Sequence, residues 1–407
     1  MRILYLHQFF VTREGIGGTR SYEFARLLVE RGHEVCMLSA APAGTTPPSG
    51  PVDVEGIELI QIGAGYQDYM AATKLSYGRR LGGFLRFAIA ATRAARRVPR
   101  PDVIYATSPP LTMALPAIAA ARRHRAPFVF EVRDLWPEAP IQMGALRNPL
   151  AIRIARALER FVYRRARHVV ALSPGMAEGI VAAGKPADQV TLIPNASDLK
   201  LFSPEVDGSR ARQRLGLDGR FVCTYFGTMG EANDLTHVID AAALLHANGE
   251  DSVTFVLHGD GKRRAELEER ARGLANVVFS DPIPDKHAIA EIAAASDACM
   301  TIYKDVPILS TCSPNKLFDT FAAGRAAIVN TPGWLTELVE KNEAGVAVRP
   351  ADAADLAEKV TFLRDNPELV RRYGINARRL AEAEFDRRLL AERLEEVLER
   401  CSSPTAS

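Results

Sequence analysis

The chain has 407 residues, 47% of them hydrophobic and 25% charged, and a formal net charge of +2. That length exceeds one ordinary domain, and the composition excludes a disordered, fibrous or membrane-embedded chain, so two or three domains with full cores are expected. The charge is uneven: residues 1–200 hold 26 Lys and Arg against 16 Asp and Glu, a net of +10 that leaves −8 for the rest, which predicts halves with different partners.

In chain order, apolar runs predict strands over 3–6, 35–38, 103–106, 128–132, 168–172 and 190–193. Helices lie between most of them, among them 21–30 and 150–165, and the Pro/Gly-rich 42–51 reads as a loop. The stretch 195–216 is poor in apolar residues and suits a linker. Further strands follow over 221–226, 253–258, 277–279, 298–302, 326–329 and 345–348, and a charged helix over 378–400. Such alternation is the pattern of parallel sheets covered on both faces. It occurs twice, so the expected fold is α/β: two Rossmann-like doubly wound domains, 1–200 and 201–377, with 378–407 a terminal helix packing back on the first. Ligands of such sheets bind beyond the strand C-termini, which makes the cleft between the domains the default site.

Five cysteines, Cys36, Cys223, Cys299, Cys312 and Cys401, show no CxxC spacing, as in a reduced cytoplasmic protein. The opening MRILYLHQFF has no signal-peptide layout, and the longest apolar run, 111–121, is too short to cross a bilayer. No secretion or membrane span is expected.

Four stretches carry the chemistry. In REGIGGTR (13–20), Gly17 and Gly18 sit between a strand and a helix, where a tight turn and an anion cradle are equally good readings. EVRDLWPE (131–138) gathers Glu131, Arg133, Asp134 and Glu138 at a strand end, where charges are costly unless paired or used; an Arg133–Asp134 surface pair is the plain alternative. In HGDGKRRAELEE (258–269), Gly259 and Gly261 keep a loop open and Lys262 stands near a helix start, a combination that suits phosphate.

The fourth, SPNKLFDTFAAGRAAIV (313–329), reads as a helix with Ser313 as N-cap, Pro314 at the first position and Gly324 past its end. Lys316 and Asp319 share one face of it. Lysine and helix-start amides suit a diphosphate and the carboxylate suits ribose hydroxyls; an intrahelical Lys–Asp pair is the alternative. The sequence has no HExxH, Asp-x-Asp or G-x-S-x-G and no His/Cys metal spacing, so no tightly bound metal is expected and no Ser/His/Asp constellation can be placed.

Residues 69–100 hold eight Lys and Arg (Lys74, Arg79, Arg80, Arg86, Arg93, Arg96, Arg97 and Arg100) and no acid, interleaved with Tyr69, Tyr77, Phe84, Leu85 and Phe87. Residues 147–168 add seven arginines around Ile152, Ile154, Leu158, Phe161 and Val162. Both suit an anionic membrane interface, and a solvated helix face is the competing reading. No nucleic-acid motif accompanies them.

In this order, GGTRSYEFARLLVERGHEV (17–35), EVRDLWPE, ALSPGM (171–176), LIPNASDLKLF (192–202), YFGTMG (225–230), HGDG and PNKLFDTFAAGRAAIV together resemble a GT-B glycosyltransferase of retaining family 4. The Asp-Leu-Trp-Pro and Pro-Asn-Lys forms are most similar to transferases of bacterial surface polysaccharide synthesis, including fucosamine-type enzymes. The resemblance implies a nucleotide-sugar donor, UDP-linked, held by the second domain, and a lipid-linked or saccharide acceptor on the first. It implies no cofactor beyond that donor substrate.

On this resemblance Gly17, Gly18, Thr228, Lys262, Asn315, Lys316 and Asp319 hold the donor, with Asp319 as the family's ribose-binding second Glu. Arg133, Asp134 and Lys316 are the expected catalytic residues, and Arg79, Arg80, Phe84 and Arg86 the membrane or acceptor contacts. The first Glu of the motif falls on Thr311, and the usual Arg and Lys after the domain's first strand fall on Thr228 and Asn233. A same-fold nucleotide-sugar 2-epimerase and a non-catalytic nucleotide-sugar-binding subunit are the competing functions. The expected location is cytoplasmic, peripheral on the inner face of the plasma membrane.

Overall fold

The computed structural model describes residues 1–403 other than 16, 43–44, 64–76 and 284, and the side chains of 77–81 are not described either. Lys74, Tyr69 and the side chains of Tyr77, Arg79 and Arg80 therefore lie outside the described residues. The chain divides into two compact units. One comprises Met1–Pro194, Thr311–Ser313 and Arg388–Ser407; the other comprises Asn195–Ser310 and Pro314–Arg387.

The first unit holds eight strands: β1 (Arg2–Leu6), β2 (Glu34–Ala40), β3 (Val52–Val54), β4 (Ile57–Ile62), β5 (Val103–Thr107), β6 (Phe128–Val132), β7 (His168–Ala171) and β8 (Val190–Leu192). Their order is β3-β4-β2-β1-β5-β6-β7-β8, all parallel except β3, which runs antiparallel to β4. The β3–β4 hairpin was not expected. Its exposed residues Asp53, Glu55 and Glu58 interrupt the apolar runs, and its turn places Glu55 and Gly56 at positive φ.

The second unit holds β9 (Phe221–Phe226), β10 (Val253–His258), β11 (Val277–Ser280), β12 (Ala298–Thr301), β13 (Ala326–Val329) and β14 (Gly345–Ala347). They form a parallel sheet in the order β11-β10-β9-β12-β13-β14. Successive residues of one strand enter different cores: Cys223 and Tyr225 pack with Phe255, Met300 and Ile328 on one face. Phe226, Cys299 and Ala327 pack with Phe318, Phe321 and Phe385 on the other. Both faces are covered, as strands rich in consecutive apolar residues require. Each sheet reverses its winding beside its first strand, at β1/β5 and at β9/β12, so those strand ends are the switch points where ligands dock.

Three expectations need correction. The stretch 195–216 is no separate linker: it belongs to the second unit and includes the helix Ser209–Leu215. The single terminal helix is instead three pieces, Pro367–Leu380, a π-helical turn Ala381–Phe385 and Arg387–Ser402. The break at Asp386 goes with a bridge to Ser197, whose N–H donates to Phe385 O and whose carbonyl accepts from Arg387 N–H, while Phe385 stacks on Phe318 at 4.4 Å. Ser313 does not cap its helix, which runs Asn315–Ala322 from Pro314 without a side-chain cap. Gly324 does lie just past its end, at φ +63, with Arg325 N–H returning to Thr320 O.

Candidate active site

In the second unit the switch-point strand β9 ends at Phe226, and residues 227–230 turn over its end. This loop lies directly on the loop after β10. Gly227 N–H donates to His258 O and Met229 N–H to Asp260 O. A Cβ on Gly259 would stand 2.0 Å from Gly227 O, and one on Gly261 2.4 Å from Met229 O. Those two glycines therefore serve backbone-to-backbone packing, which corrects the reading of them as a loop kept open for a ligand. Tyr225 Oη and Asn233 Nδ2 both donate to Thr228 O, at 2.6 and 3.0 Å. Thr228 itself is exposed. Asn233, one of the two departures, is used to brace this loop.

Lys316 rises from the first turn of the helix Asn315–Ala322 and sets Nζ 3.8 Å from the centre of the Tyr225 ring. Gly227, at φ +138, makes this possible, since a Cβ there would lie 3.2 Å from Nζ. Lys316 meets no carboxylate among the described residues, and burial pushes its ammonium down to about 7. The face of a tyrosine is a weak counterpart for such a charge. The arrangement is a half-buried cation at a strand end, ready for an anion.

Asp319 lies one turn further on, half-buried, with Oδ1 accepting from Ser197 Oγ at 2.8 Å. Burial pushes its carboxyl up to about 6, against the Ser197 hydrogen bond and the charges of Lys286 and Arg387, with Asp198 adding to the rise. Lys316 and Asp319 thus share a face without forming the intrahelical pair. Asn315 is half-buried at the helix start. Lys262 is set differently: its side chain is 65% exposed and Nζ lies 3.2 Å from Glu231, whose other oxygen is 3.6 Å from Lys304.

In the first unit, the switch point adds a residue that the sequence reading missed. His7 follows β1 directly and is fully buried, with Nδ1 2.7 Å from Ser21 Oγ and Nε2 3.3 Å from Arg133 Nη1. A guanidinium only donates, so Nε2 accepts and the proton sits on Nδ1, given to Ser21. Burial and the Arg133 charge push His7 well down, keeping the imidazole neutral. Its one legible signal was position: a histidine immediately after the first strand.

Arg133 is thereby turned to His7 and not paired with Asp134, and its N–H donates to Ser108 Oγ at 3.0 Å. Asp134 is half-buried, its carboxyl pushed up to about 6 by burial against the pull of Arg133. Gly17 is exposed at φ +141 and Gly18 is half-buried, on the loop into the helix Arg20–Glu30. Thr311 packs within this unit, where a Cβ on Gly175 would meet its Cγ2 at 2.9 Å. The missing motif glutamate is thus replaced by a packing residue.

Phe84, expected at a membrane or acceptor surface, is buried with its ring 6.4 Å from Phe9, and Phe87 is buried too. The exposed face of the helix Tyr77–Ala95 is formed by Leu85, Arg86, Ile89 and Arg93. A similar face on Pro149–Arg165 shows Leu150, Arg153 and Ile154. No described helix is long and apolar enough to cross a membrane.

Among the described residues one trio, His33, Glu395 and Glu399, has donor atoms close enough to share a cation. Glu395 already holds Arg31 at 2.8 Å and His33 at 2.7 Å. His33 precedes β2 and so stands at the sheet edge opposite the switch-point loops.

Residues 17–196 match the family model described as a glycosyl transferase 4-like domain, and residues 220–366 match glycosyl transferases group 1. The two matches fall one in each unit. The chain thus carries two glycosyl transferase domains on the GT-B fold. Among the relatives of this chain is WcaI of Escherichia coli K12, whose name assigns it provisionally to colanic acid biosynthesis as a glycosyl transferase. The two are 27% identical over 264 residues, 62% of this chain and 63% of WcaI, so the chain spans less than two thirds of that relative's length. Sucrose-phosphate synthase of Thermosynechococcus elongatus has the same fold, with a TM-score of 0.78 at 20% identity over 98% of both chains. Anabaena HepE, solved in complex with UDP-glucose, aligns with a TM-score of 0.72 at 20% identity over 98% of this chain and all of that one.

Proposed function

We propose that this protein is a retaining, metal-independent glycosyltransferase that moves a sugar from a UDP-linked donor to a lipid-linked or saccharide acceptor in surface polysaccharide synthesis. The observation that carries the reading is the half-buried Lys316 ammonium at the end of β9, facing no carboxylate among the described residues, with Asp319 one turn away. A diphosphate supplies what Lys316 lacks, and ribose hydroxyls donate to the carboxylate of Asp319. The complex of HepE with UDP-glucose supports a donor of that chemistry, and the name of WcaI supports a surface polysaccharide as product.

Breaking the sugar–phosphate bond puts negative charge on the leaving diphosphate. A fixed cation in a partly dry site stabilises that charge more in the transition state than in the ground state. Because the diphosphate is the growing charge, Lys316 is the catalytic residue of this unit. On this reading Arg133, fixed by the neutral His7, and Asp134, whose carboxyl is pushed up to about 6, serve the reacting sugar and acceptor. Lys262 has a lesser part, since a diphosphate has to draw it away from Glu231.

The exposed Leu85, Arg86, Ile89 and Arg93, with Leu150, Arg153 and Ile154, support an acceptor presented at an anionic membrane. Co-sedimentation with vesicles containing anionic phospholipid tests this: Leu85→Asn with Ile89→Asn should release the protein, and undiminished binding would refute it.

The central experiment incubates the purified protein with UDP-glucose, UDP-galactose and their N-acetylhexosamine counterparts plus an undecaprenyl-diphosphate-linked saccharide. Release of UDP with a lengthened acceptor and the donor's anomeric configuration kept is expected. Release of a C2-inverted sugar would instead select the epimerase, which glycosyl transferase domains in both units disfavour. UDP binding without turnover would select a binding subunit.

A further inference from the structure

Ser197 occupies a singular position in the second unit. It is wholly buried in the first stretch of chain after Pro194, where the chain passes from one unit to the other. Its backbone forms a parallel bridge with Asp386, in the stretch by which the chain passes back at Arg387 and Arg388. Its N–H donates to Phe385 O at 3.0 Å and its carbonyl accepts from Arg387 N–H at 3.2 Å. Its hydroxyl, the one polar group left over, donates to Asp319 Oδ1 at 2.8 Å.

We propose that Ser197 is the positioning residue of the donor site, fixing the Asp319 carboxylate to receive the ribose and tying that carboxylate to the stretches at the first and last of the chain crossings. The proposal rests on the reading that Asp319 binds the ribose. With Oδ1 held by Ser197, Oδ2 is left to accept from sugar hydroxyls, and the rotamer of a short side chain is set before the nucleotide arrives. Pre-setting matters because a carboxylate that has to be ordered on binding gives up part of the affinity it supplies.

The groups facing Asp319 are Lys286 and Arg387, which favour its ionised form, and Asp198, which opposes it. None of them replaces the Ser197 proton, because an acceptor-only carboxylate is oriented by the donor hydrogen-bonded to it. An intact Ser197 therefore keeps Asp319 ionised to lower pH than the other three groups alone would.

The test measures binding of UDP and of 2′,3′-dideoxy-UDP to the full chain by calorimetry from pH 5.5 to 8, for wild type, Ser197→Ala, Ser197→Thr and Asp319→Asn. Ser197→Ala is expected to weaken UDP about tenfold and to move the acid limb of its affinity to higher pH. It should leave the dideoxy nucleotide unchanged, and Ser197→Thr should recover most of the loss. An unshifted acid limb and unchanged UDP affinity in Ser197→Ala, with Asp319→Asn still weakening UDP alone, would overturn the role of Ser197 and leave the ribose reading intact. An Asp319→Asn protein that binds UDP as wild type does would overturn that reading, and the proposal with it. Equal loss for both nucleotides in Ser197→Ala would mark the serine as structural only and also overturn the proposal.

Discussion

Burial shifts Lys316 and Asp319 in opposite directions, so their contributions to stability vary with pH in opposite senses. Burial lowers the Lys316 ammonium to about 7 and raises the Asp319 carboxyl to about 6. A lysine whose folded pKa is depressed releases its proton more readily when folded, so between about pH 7 and its ordinary value the protein gains stability as pH rises. Below pH 7 the full penalty is present. Lys316→Met should therefore raise the thermal midpoint at pH 6.5 while weakening UDP binding at least tenfold, measured by scanning calorimetry and titration; a lowered midpoint would show that the ammonium is stabilised by something other than the Tyr225 ring. Diphosphate binding should draw a proton onto Lys316 at pH 8, where the unliganded amine is mostly neutral. Calorimetry in buffers of different ionisation enthalpy should then report proton uptake, which Lys316→Met abolishes. Both residues were legible because their three-residue spacing fixes a shared helix face. Their partners were not: nothing local pairs Asp319 with Ser197 or Lys316 with Tyr225, residues 122 and 91 positions away in the chain. His7 escaped for the same reason, since its meaning depends on Arg133, brought near it by the β1–β5–β6 order.

At the scale of elements, the helix Arg20–Glu30 is locked to the sheet by one buried pair. Arg20 donates through Nε and Nη2 to Glu131 Oε2 at 2.9 and 2.8 Å, and through Nη1 and Nη2 to Pro194 O and Ile193 O. Tyr105 and Thr107 donate to the same carboxylate. Burial works to raise Glu131, but the charge and hydrogen bonds of Arg20 outweigh it and hold the carboxyl below its usual range. A depressed acid stabilises above its unfolded value and loses that contribution as pH falls through the folded one. Removing one partner strands the other, so Glu131→Ala should cost about 3–5 kcal/mol in urea unfolding, whereas Arg20→Met with Glu131→Leu should recover most of it. A double variant as unstable as the single one would show that Arg20 acts through the carbonyls of Ile193 and Pro194 instead. The strands of both sheets were readable because consecutive apolar residues have no other stable place. The β3–β4 hairpin and the break at Asp386 were not, because one lies at a half-exposed edge and the other goes with a bridge to Ser197, distant in the chain. The glycines of 259 and 261 were noticed for the wrong physics: the sequence shows that a Cβ is missing, but only the partner loop shows what it would have struck.

The whole molecule consists of two units with separate sheets and cores, and the chain passes between them four times, after Pro194, Ser310, Ser313 and Arg387. The last helix, Arg387–Ser402, belongs with the first unit, where Glu395 receives Arg31 and His33 and Arg388 lies 3.8 Å from Glu30. Charge follows the same division, with the basic half of the sequence supplying most of the first unit. If the donor is held by the second unit alone, UDP should stabilise that unit and leave the first where it was. Ligand at about 100 times its dissociation constant contributes about 2.7 kcal/mol, and domains of 150–250 residues shift by about 2–4 °C per kcal/mol. Scanning calorimetry should thus show one transition rising by about 5–10 °C with UDP while the other stays fixed. Glu395→Ala should do the reverse, lowering only the transition that UDP leaves unmoved, because it removes the side chain that holds Arg31 and His33 in the first unit. Hydrogen exchange assigns the transitions independently, through protection of β9 and β12 in one case and of β1 and β2 in the other. Were UDP to raise both transitions equally, the nucleotide would have to draw on groups of the first unit as well, and Gly17, Gly18 and Arg133 would be the residues to vary next.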